Sequence, residues 1–412
     1  NDKLLLMEIL VSRGYVKKIT KRRIDMKICI VGGVAGGAGA ATKLRRMDEQ
    51  AEIILFEKGE YISYANCGLP YFIGGTIKEE ESLIVTQPEL LRGRFNIDVR
   101  VKSEVVEIDK DKHLMKVQNH ETGEIYQESY DKLILSPGAA PKNMFPEASN
   151  EEGIFTLRTV PDTLKIDQYI KEKHPKTAVV VGGGFIGVEM AENLTERGLE
   201  VTIVEFAPHI VASIDLEMAN ILHRHLAQNG VSIRLNTGVS SLEKIENEFH
   251  LKLTDQSTIN TDLVIMSVGV VPESELAKKA GLTLGIRNSI NVDEYLTTSD
   301  PDILAVGDAI NIKNFITGLE GSIPLAGPAN RQGRNVAKII LGEKVVSNKT
   351  MGSSVLKVFD LTAASTGMSE EQLLQAKIPY YKTYVHPNSH ASYYPGAMPL
   401  QMKMLFQEDG KI

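Results

Sequence analysis

The chain contains the same short unit twice. Lys27-Ile28-Cys29-Ile30-Val31 is an unbroken apolar run that leads into Gly32-Gly33-Val34-Ala35-Gly36-Gly37. A helical stretch follows from Ala38 to Met47, then an apolar strand, Ile53-Ile54-Leu55-Phe56, that stops at Glu57. The order recurs as Ala178-Val179-Val180-Val181, Gly182-Gly183-Gly184-Phe185-Ile186-Gly187, a helix to about Arg197, and Val201-Thr202-Ile203-Val204 ending at Glu205. First glycine and acid are 25 residues apart in one copy and 23 in the other. Continuous apolar runs of this length suit strands buried on both faces, so the repeat dictates an α/β fold with parallel sheets between helices. A strand, a glycine turn, a helix and a second strand ending in an acid form a dinucleotide-binding unit. The glycines admit a tight turn and a close pyrophosphate, the helix start offers free N–H groups, and the carboxylate accepts ribose hydroxyls.

The copies differ in detail. The second matches G-x-G-x-x-G in full, through Gly182, Gly184 and Gly187, with Ile186 inside the turn. In the first, Val34 stands at the middle glycine, and Gly36 and Gly37 are expected to keep the approach open. Glu205 is followed by Phe206-Ala207-Pro208, with no Arg or Lys. An acid there repels a 2′-phosphate, so NADH is expected over NADPH, with NADPH still possible. Two sites in one chain suggest a relay from nicotinamide to flavin to a third group. The flavin reading gains from Asp302-Ile303-Leu304-Ala305-Val306-Gly307-Asp308, a strand whose final carboxylate can hold the ribityl hydroxyls of FAD. The FAD site is thus expected at Gly32, Ala35, Gly36, Gly37, Glu57, Lys58 and Asp308. The NAD site is expected at Gly182, Gly184, Ile186, Gly187 and Glu205.

The third group is a sulfur. Cys67 lies ten residues past Glu57 in Ser63-Tyr64-Ala65-Asn66-Cys67-Gly68-Leu69-Pro70-Tyr71. The chain has two cysteines, and Cys29, inside the first strand, reads as a small buried hydrophobe. A redox site here works with one protein sulfur, so its disulfide partner must come from the substrate. Gly68-Leu69-Pro70 is expected to open a helix, with Pro70 in its first turn. A helix start, or a nearby positive charge, would lower the thiol pKa towards neutral. Two cysteines in 412 residues exclude a disulfide-stapled scaffold and fit a reducing, cytoplasmic setting. A net charge of -7 gives no reason to expect nucleic acid, and no apolar run is long enough to span a membrane.

With these motifs in order, the sequence resembles the two-dinucleotide pyridine nucleotide–disulfide oxidoreductases over about residues 26 to 406. A fourth motif, Leu325-Ala326-Gly327-Pro328-Ala329-Asn330-Arg331-Gln332-Gly333, adds to the match. The chain lacks the CxxxxC pair of the glutathione-reductase branch. It is similar to the single-cysteine branch of coenzyme A-disulfide reductases, NADH-dependent persulfide reductases and NADH oxidases. Ala35 stands where the oxygen- and peroxide-reducing members carry a His, which is the form of the coenzyme A-disulfide reductases.

The resemblance implies that Cys67 is the redox residue with Asn66 beside it. It implies that Lys43, Arg46, Ser63 and Asn66 hold coenzyme A, and that Tyr393 or Tyr394 reaches the site from the partner subunit of a homodimer. It implies an enzyme that reduces coenzyme A disulfide, or a coenzyme A persulfide or polysulfide, with FAD and NADH. A small-molecule thiol or disulfide is then the partner, and no metal, nucleic acid or membrane is needed. Two other readings compete: an NADH oxidase or peroxidase working through a Cys67 sulfenate, and a non-catalytic redox-sensing flavoprotein.

The expected layout is an FAD domain over 26–145 and 269–345, an NAD domain inserted over 146–268, and a partial α/β dimerisation domain over 349–412. In the last, a helix from Ser369 to Gln375 should lie between strands Ser354 to Phe359 and Tyr380 to His386. Residues 1–25 carry seven Lys/Arg and three Asp/Glu and read as a non-native or disordered extension before Met26. The C-terminal domain is expected to be truncated, with a second interface tyrosine beyond Ile412. Some members of the family that this sequence resembles carry a rhodanese domain after this one.

Overall fold

The computed structural model describes residues 26–148, 151–347 and 349–412. The non-native or disordered extension expected over residues 1–25 lies outside them.

Two five-stranded parallel sheets carry the architecture. The first has the order Ile303–Ala305, Lys132–Leu135, Lys27–Val31, Glu52–Phe56, Asp98–Arg100. The second has the order Ser232–Arg234, Glu200–Val204, Thr177–Val181, Leu263–Met266, Ile154–Phe155. In each, the strand before the glycine turn is central and the acid-bearing strand lies beside it. Each sheet is also accompanied by a three-stranded antiparallel sheet, Ser103–Asp109 with Leu114–Asn119 and Ile125–Ser129, and Val239–Ile245 with Glu248–Leu253 and Thr258–Thr261. The duplication read from two glycine turns therefore extends to the whole unit.

The turns match to the hydrogen bond. Gly32 donates to Phe56 and Gly182 to Val204, both at 2.8 Å; Ser136 donates to Val31 and Ser267 to Val181, both at 2.7 Å. Gly32 and Gly182 have φ of +100° and +107°, and a Cβ on them would stand 2.0 and 2.3 Å from the carbonyl oxygens of Ser136 and Ser267. Only glycine satisfies both constraints. The first helix, Ala35–Met47, begins three residues before the expected Ala38. Its early glycines allow this: a Cβ on Gly37 would lie 1.8 Å from the Gly32 carbonyl oxygen, so the helix starts in contact with the turn. In the second unit the helix is Phe185–Glu196, and Gly187 has the same relation to Gly182 at 1.9 Å.

The chain leaves the first sheet after Lys132–Leu135 and returns to it at Ile303–Ala305, with the second sheet between. The outgoing and returning segments, Ala139–Pro141 and Val270–Pro272, pair antiparallel. Helix Ala326–Ile340, which begins within the fourth sequence motif, lies across Ala35–Met47 at a glycine crossing. A Cβ on Gly333 would meet the Gly36 carbonyl oxygen at 2.3 Å.

Leu69, Ile73 and Leu83, from the segment that carries Cys67, do not join the first core. They are buried with Val188, Leu194 and Ile203 of the second unit, and Leu356 and Val358 of the C-terminal hairpin complete that cluster. Each such side chain contributes about 1.5–3 kcal/mol by burial.

The C-terminal region holds hairpin Ser354–Val358/Leu361–Ser365, helix Glu370–Gln375 and hairpin Tyr381–Val385/Met402–Phe406. The expected elements are present; the helix and the first strand are one residue shorter than expected, and strand Tyr381–Val385 is shorter by one residue at each end. Ser369 caps the helix from outside, accepting from the Gln372 N–H while the Gln372 side chain accepts from Ser369 in return. Lys403 enters a cluster of three acids, with Nζ 2.7 Å from Asp215, 2.5 Å from Glu217 and 2.6 Å from Glu370. Its ammonium fills the space that three carboxylates would offer a cation. No described helix is long and apolar enough to cross a membrane.

Candidate active site

Both acids close their own turns. Glu57 Oε2 accepts from the Gly33 N–H at 2.8 Å, and Oε1 from Gly59 at 2.8 Å. Glu205 Oε2 accepts from Gly183 at 2.6 Å, and Oε1 from Ala207 at 2.7 Å. The carboxylates thus stand at the carboxyl ends of the sheets, beside the helix starts, where ligands bind in open α/β sheets. Ile186 is partly exposed on the second turn, and a Cβ on Gly184 would meet open space.

Asp308 follows strand Ile303–Ala305 in the turn Gly307–Ala309. Burial raises its pKa, and Arg158 Nη2, 3.5 Å away, opposes that rise. A half-screened carboxylate of this kind has acceptor capacity to spare for hydroxyls. Gln332 fixes the turn by accepting from the Gly307 N–H at 2.8 Å, so the fourth motif acts on the Asp308 turn. Lys58 is exposed and pairs with Glu273 at 3.3 Å. Ala35, Gly36 and Gly37 form the first turn of helix Ala35–Met47.

The cysteine loop is stitched to the first turn. Ser63, at φ +47°, donates to the Gly33 carbonyl at 2.9 Å and accepts from Val85 at 2.8 Å. Cys67 lies exposed in the 3₁₀ turn Asn66–Gly68, just before helix Leu69–Ile73, which carries Pro70 in its first turn. Cys29 is fully buried, its thiol directed to the Ser129 carbonyl at 3.5 Å and its pKa pushed up to about 12 by burial. Cys67 therefore has no protein thiol to pair with.

One expectation fails. Although the residue is exposed at the surface, the chain packed around its sulfur partly desolvates the Cys67 thiol, and this desolvation and the Glu189 carboxylate push its pKa up. A five-residue helix carries little dipole, and the charge facing it is negative. Glu189 belongs to helix Phe185–Glu196 and is itself raised to about 7 by burial and by Glu192. Glu192 is fully buried and paired with Lys357, whose ammonium also lies 5.8 Å from the centre of the Tyr71 ring. The spacing of Glu189, Glu192 and Glu196 along one helix face was the available sign of this group, and it carries no motif.

Arg158 is the residue that sequence reasoning missed. Its carbonyl accepts from Asn66 Nδ2 at 3.4 Å and from Tyr64 Oη at 3.5 Å, and its guanidinium reaches the Ala139 carbonyl at 2.8 Å and Asp308. It ties the loop of Cys67 to the carboxylate expected to hold the flavin chain.

The remaining expected residues fall in two places. Lys43 and the exposed Arg46 share helix Ala35–Met47, with the Arg46 guanidinium 5.3 Å from the Phe95 ring centre. Arg45 between them is committed to structure, bonding the carbonyls of Phe95, Asn96 and Glu49. Tyr393 and Tyr394 are 90% and 67% exposed, and the Tyr394 ring meets His390 edge-on, so neither packs on the cysteine loop of its own chain.

A family model described as pyridine nucleotide-disulphide oxidoreductase matches residues 26–333. The chain is 34% identical over 386 residues to a coenzyme A disulfide reductase of Staphylococcus epidermidis, covering 93% of this chain and 86% of that protein. It is also 34% identical over 391 residues to an NADH oxidase of Methanocaldococcus jannaschii, covering 94% and 86%. Among solved structures, reduced CoADR-RHD of Bacillus anthracis superposes with a TM-score of 0.91 at 51% identity, over 94% of this chain and 70% of that one. An NAD-dependent persulfide reductase of A. fulgidus gives 0.89 at 33%, over 93% and 72%.

Proposed function

The chain belongs to the pyridine nucleotide-disulphide oxidoreductases, and from that premise we propose that it uses NADH and FAD to reduce coenzyme A disulfide, or the persulfide of coenzyme A, through Cys67. The observation that carries this reading is an exposed thiol, tied by Ser63 to the first glycine turn, with the other cysteine fully buried.

The residues fit FAD. Gly32 has no room for a Cβ, Glu57 points both oxygens at turn amides, and Asp308 is a half-buried carboxylate with one cation, Arg158, 3.5 Å away. Bound FAD supplies a two-electron path from NADH to sulfur. Gly32, Gly36, Gly37, Glu57, Lys58 and Asp308 would hold it, and Gly182, Gly184, Gly187 and Glu205 would hold NADH.

Cys67 as thiolate attacks one sulfur of the substrate disulfide. The new Cys67–S bond replaces the substrate S–S bond, and the first coenzyme A leaves as thiolate. An electron pair then breaks the mixed disulfide, which returns the Cys67 thiolate and releases the second thiol. Glu189, half protonated near neutral pH, is suited to hand a proton to a departing thiolate. Lys43 and Arg46 would bind the coenzyme A phosphates, Ser63 and Asn66 its arm, and Tyr393 or Tyr394 would enter from a second copy in a homodimer.

In this reading residues 26–145 and 269–345 form the flavin domain, 146–268 the nicotinamide domain and 349–412 the pairing domain. The return of Ile303–Ala305 to the first sheet supports that division.

The test is NADH oxidation without oxygen, in the presence of coenzyme A disulfide. Two thiols for each NADH support the reading. NADH consumption that requires oxygen and yields no thiol would replace it with the oxidase reading.

A further inference from the structure

We infer that Phe206 is the adenine platform of the nicotinamide dinucleotide site, and so a specificity-determining residue for the adenosine half of the cofactor. The inference rests on the NADH reading above and adds a residue to it.

Phe206 is the residue after Glu205, at the carboxyl end of strand Glu200–Val204. It is 77% exposed, although an aromatic ring is among the more costly side chains to leave in water. Its backbone is not loose. Glu205 and Ala207 on either side are held to the neighbouring loop, where Thr237 donates to the Glu205 carbonyl and Asn236 to the Ala207 carbonyl, both at 3.1 Å. The Glu205 carboxylate, bound to the N–H groups of Gly183 and Ala207, fixes the start of the same turn.

The ring rests against Gly238, where an added Cβ would lie 3.2 Å from its Cδ2. It is supported at one edge and open elsewhere. The second glycine turn is unobstructed too, for a Cβ on Gly184 would meet nothing within 4 Å. Chemistry then places the ligand. A ribose whose hydroxyls lie on Glu205 carries its base one bond from the same sugar ring, within reach of the next side chain. A purine offers a flat apolar face, and Phe206 offers the matching one. Residues 206–208 carry no charge, so this position recognises a base and not a further phosphate.

Steady-state kinetics with the holoenzyme test it, using NADH and, in parallel, reduced nicotinamide mononucleotide, which lacks the adenosine half. Stacking of a base on an aromatic side chain is strong enough that Phe206→Ala should raise KM for NADH about tenfold. Its kcat should hold, and KM for the mononucleotide should stay at the wild-type value. Phe206→Tyr, which keeps the ring, should behave as wild type. Titration with ADP-ribose should show the same tenfold weakening in Phe206→Ala without any turnover. An unchanged KM for NADH, an equal rise for both nucleotides, or unchanged ADP-ribose affinity would overturn the inference. Failure of the wild type to oxidise NADH while still binding ADP-ribose through Phe206 would instead count against the parent reading alone.

Discussion

Ser63 donates its backbone N–H to the carbonyl of Gly33 at 2.9 Å, which ties the loop of Cys67 to the turn expected to face the flavin pyrophosphate. The thiol is therefore positioned by backbone geometry, and replacing its sulfur should leave the loop in place. Cys67→Ser is expected to retain bound flavin, read from its visible absorbance, and to lose NADH-driven thiol release by at least a hundredfold. Retained turnover would remove Cys67 as the nucleophile.

In the proposed nicotinamide site, Glu205 and Phe206 divide the reading of the adenosine between them. Charge-assisted hydrogen bonds are worth roughly 1.5–3 kcal/mol, so Glu205→Ala should narrow the NADH/NADPH ratio of kcat/KM by about tenfold or more. An unchanged ratio would shift ribose recognition to another side chain, with the exposed Arg234 at the end of the neighbouring strand as the first to test.

Glu189 sets a pH dependence. Its carboxyl is raised to about 7 in the folded chain, and an unfolded Glu titrates near about 4.3, so the native state binds the extra proton between these values. Stability from this group is present at the acid end and is lost as pH rises through 7. Glu189→Gln should flatten that slope in denaturant titrations at pH 5 and pH 8. The same change removes the negative charge facing Cys67, so the pH midpoint of iodoacetamide alkylation should move down. An upward move would show that the carboxylate does not face the thiol.

The paired glycines separate the two sites. Gly37→Ala puts a Cβ where 1.8 Å separates it from the Gly32 carbonyl oxygen, and Gly187→Ala does the same at 1.9 Å from Gly182. Each should cost about 1–3 kcal/mol locally. The first should purify with reduced flavin content, and the second should keep its flavin but show a raised KM for NADH. Equal loss of flavin in both would mean that the sites are not independent.

Lys403 is 5% exposed between three carboxylates. Lys403→Met should leave Asp215, Glu217 and Glu370 facing one another uncompensated. A loss of roughly 3 kcal/mol is expected, seen as a lower Tm in a thermal melt. A Tm equal to wild type would show the cluster to be electrostatically inert.

The parts of the fold that could be read from the chain are those fixed by local backbone geometry. Gly32 and Gly182 announce themselves because φ near +100° and a blocked Cβ leave no other residue possible. Glu57 and Glu205 follow at the distance that a helix and a strand require. The Val34 substitution in the first turn is accommodated because Gly36 and Gly37 carry the close contacts. Arg158 and Glu189 are not legible for the opposite reason: their partners lie in distant segments, and the spacing of acids along helix Phe185–Glu196 belongs to no motif. The thiol was misjudged because sequence shows where a helix starts, but not which side chains of another helix face it. Tyr393 and Tyr394 could be named but not separated, since both are exposed in the single chain.

Leu69, Ile73 and Leu83 follow Cys67, yet they are roofed by the second unit, chiefly by helices Val160–Lys173 and Phe185–Glu196. An excised flavin half would carry three bare aliphatic side chains into water, directly behind its reactive sulfur. Neither half is then a separable module: the second glycine-turn unit is also the mould in which the thiol segment acquires its shape.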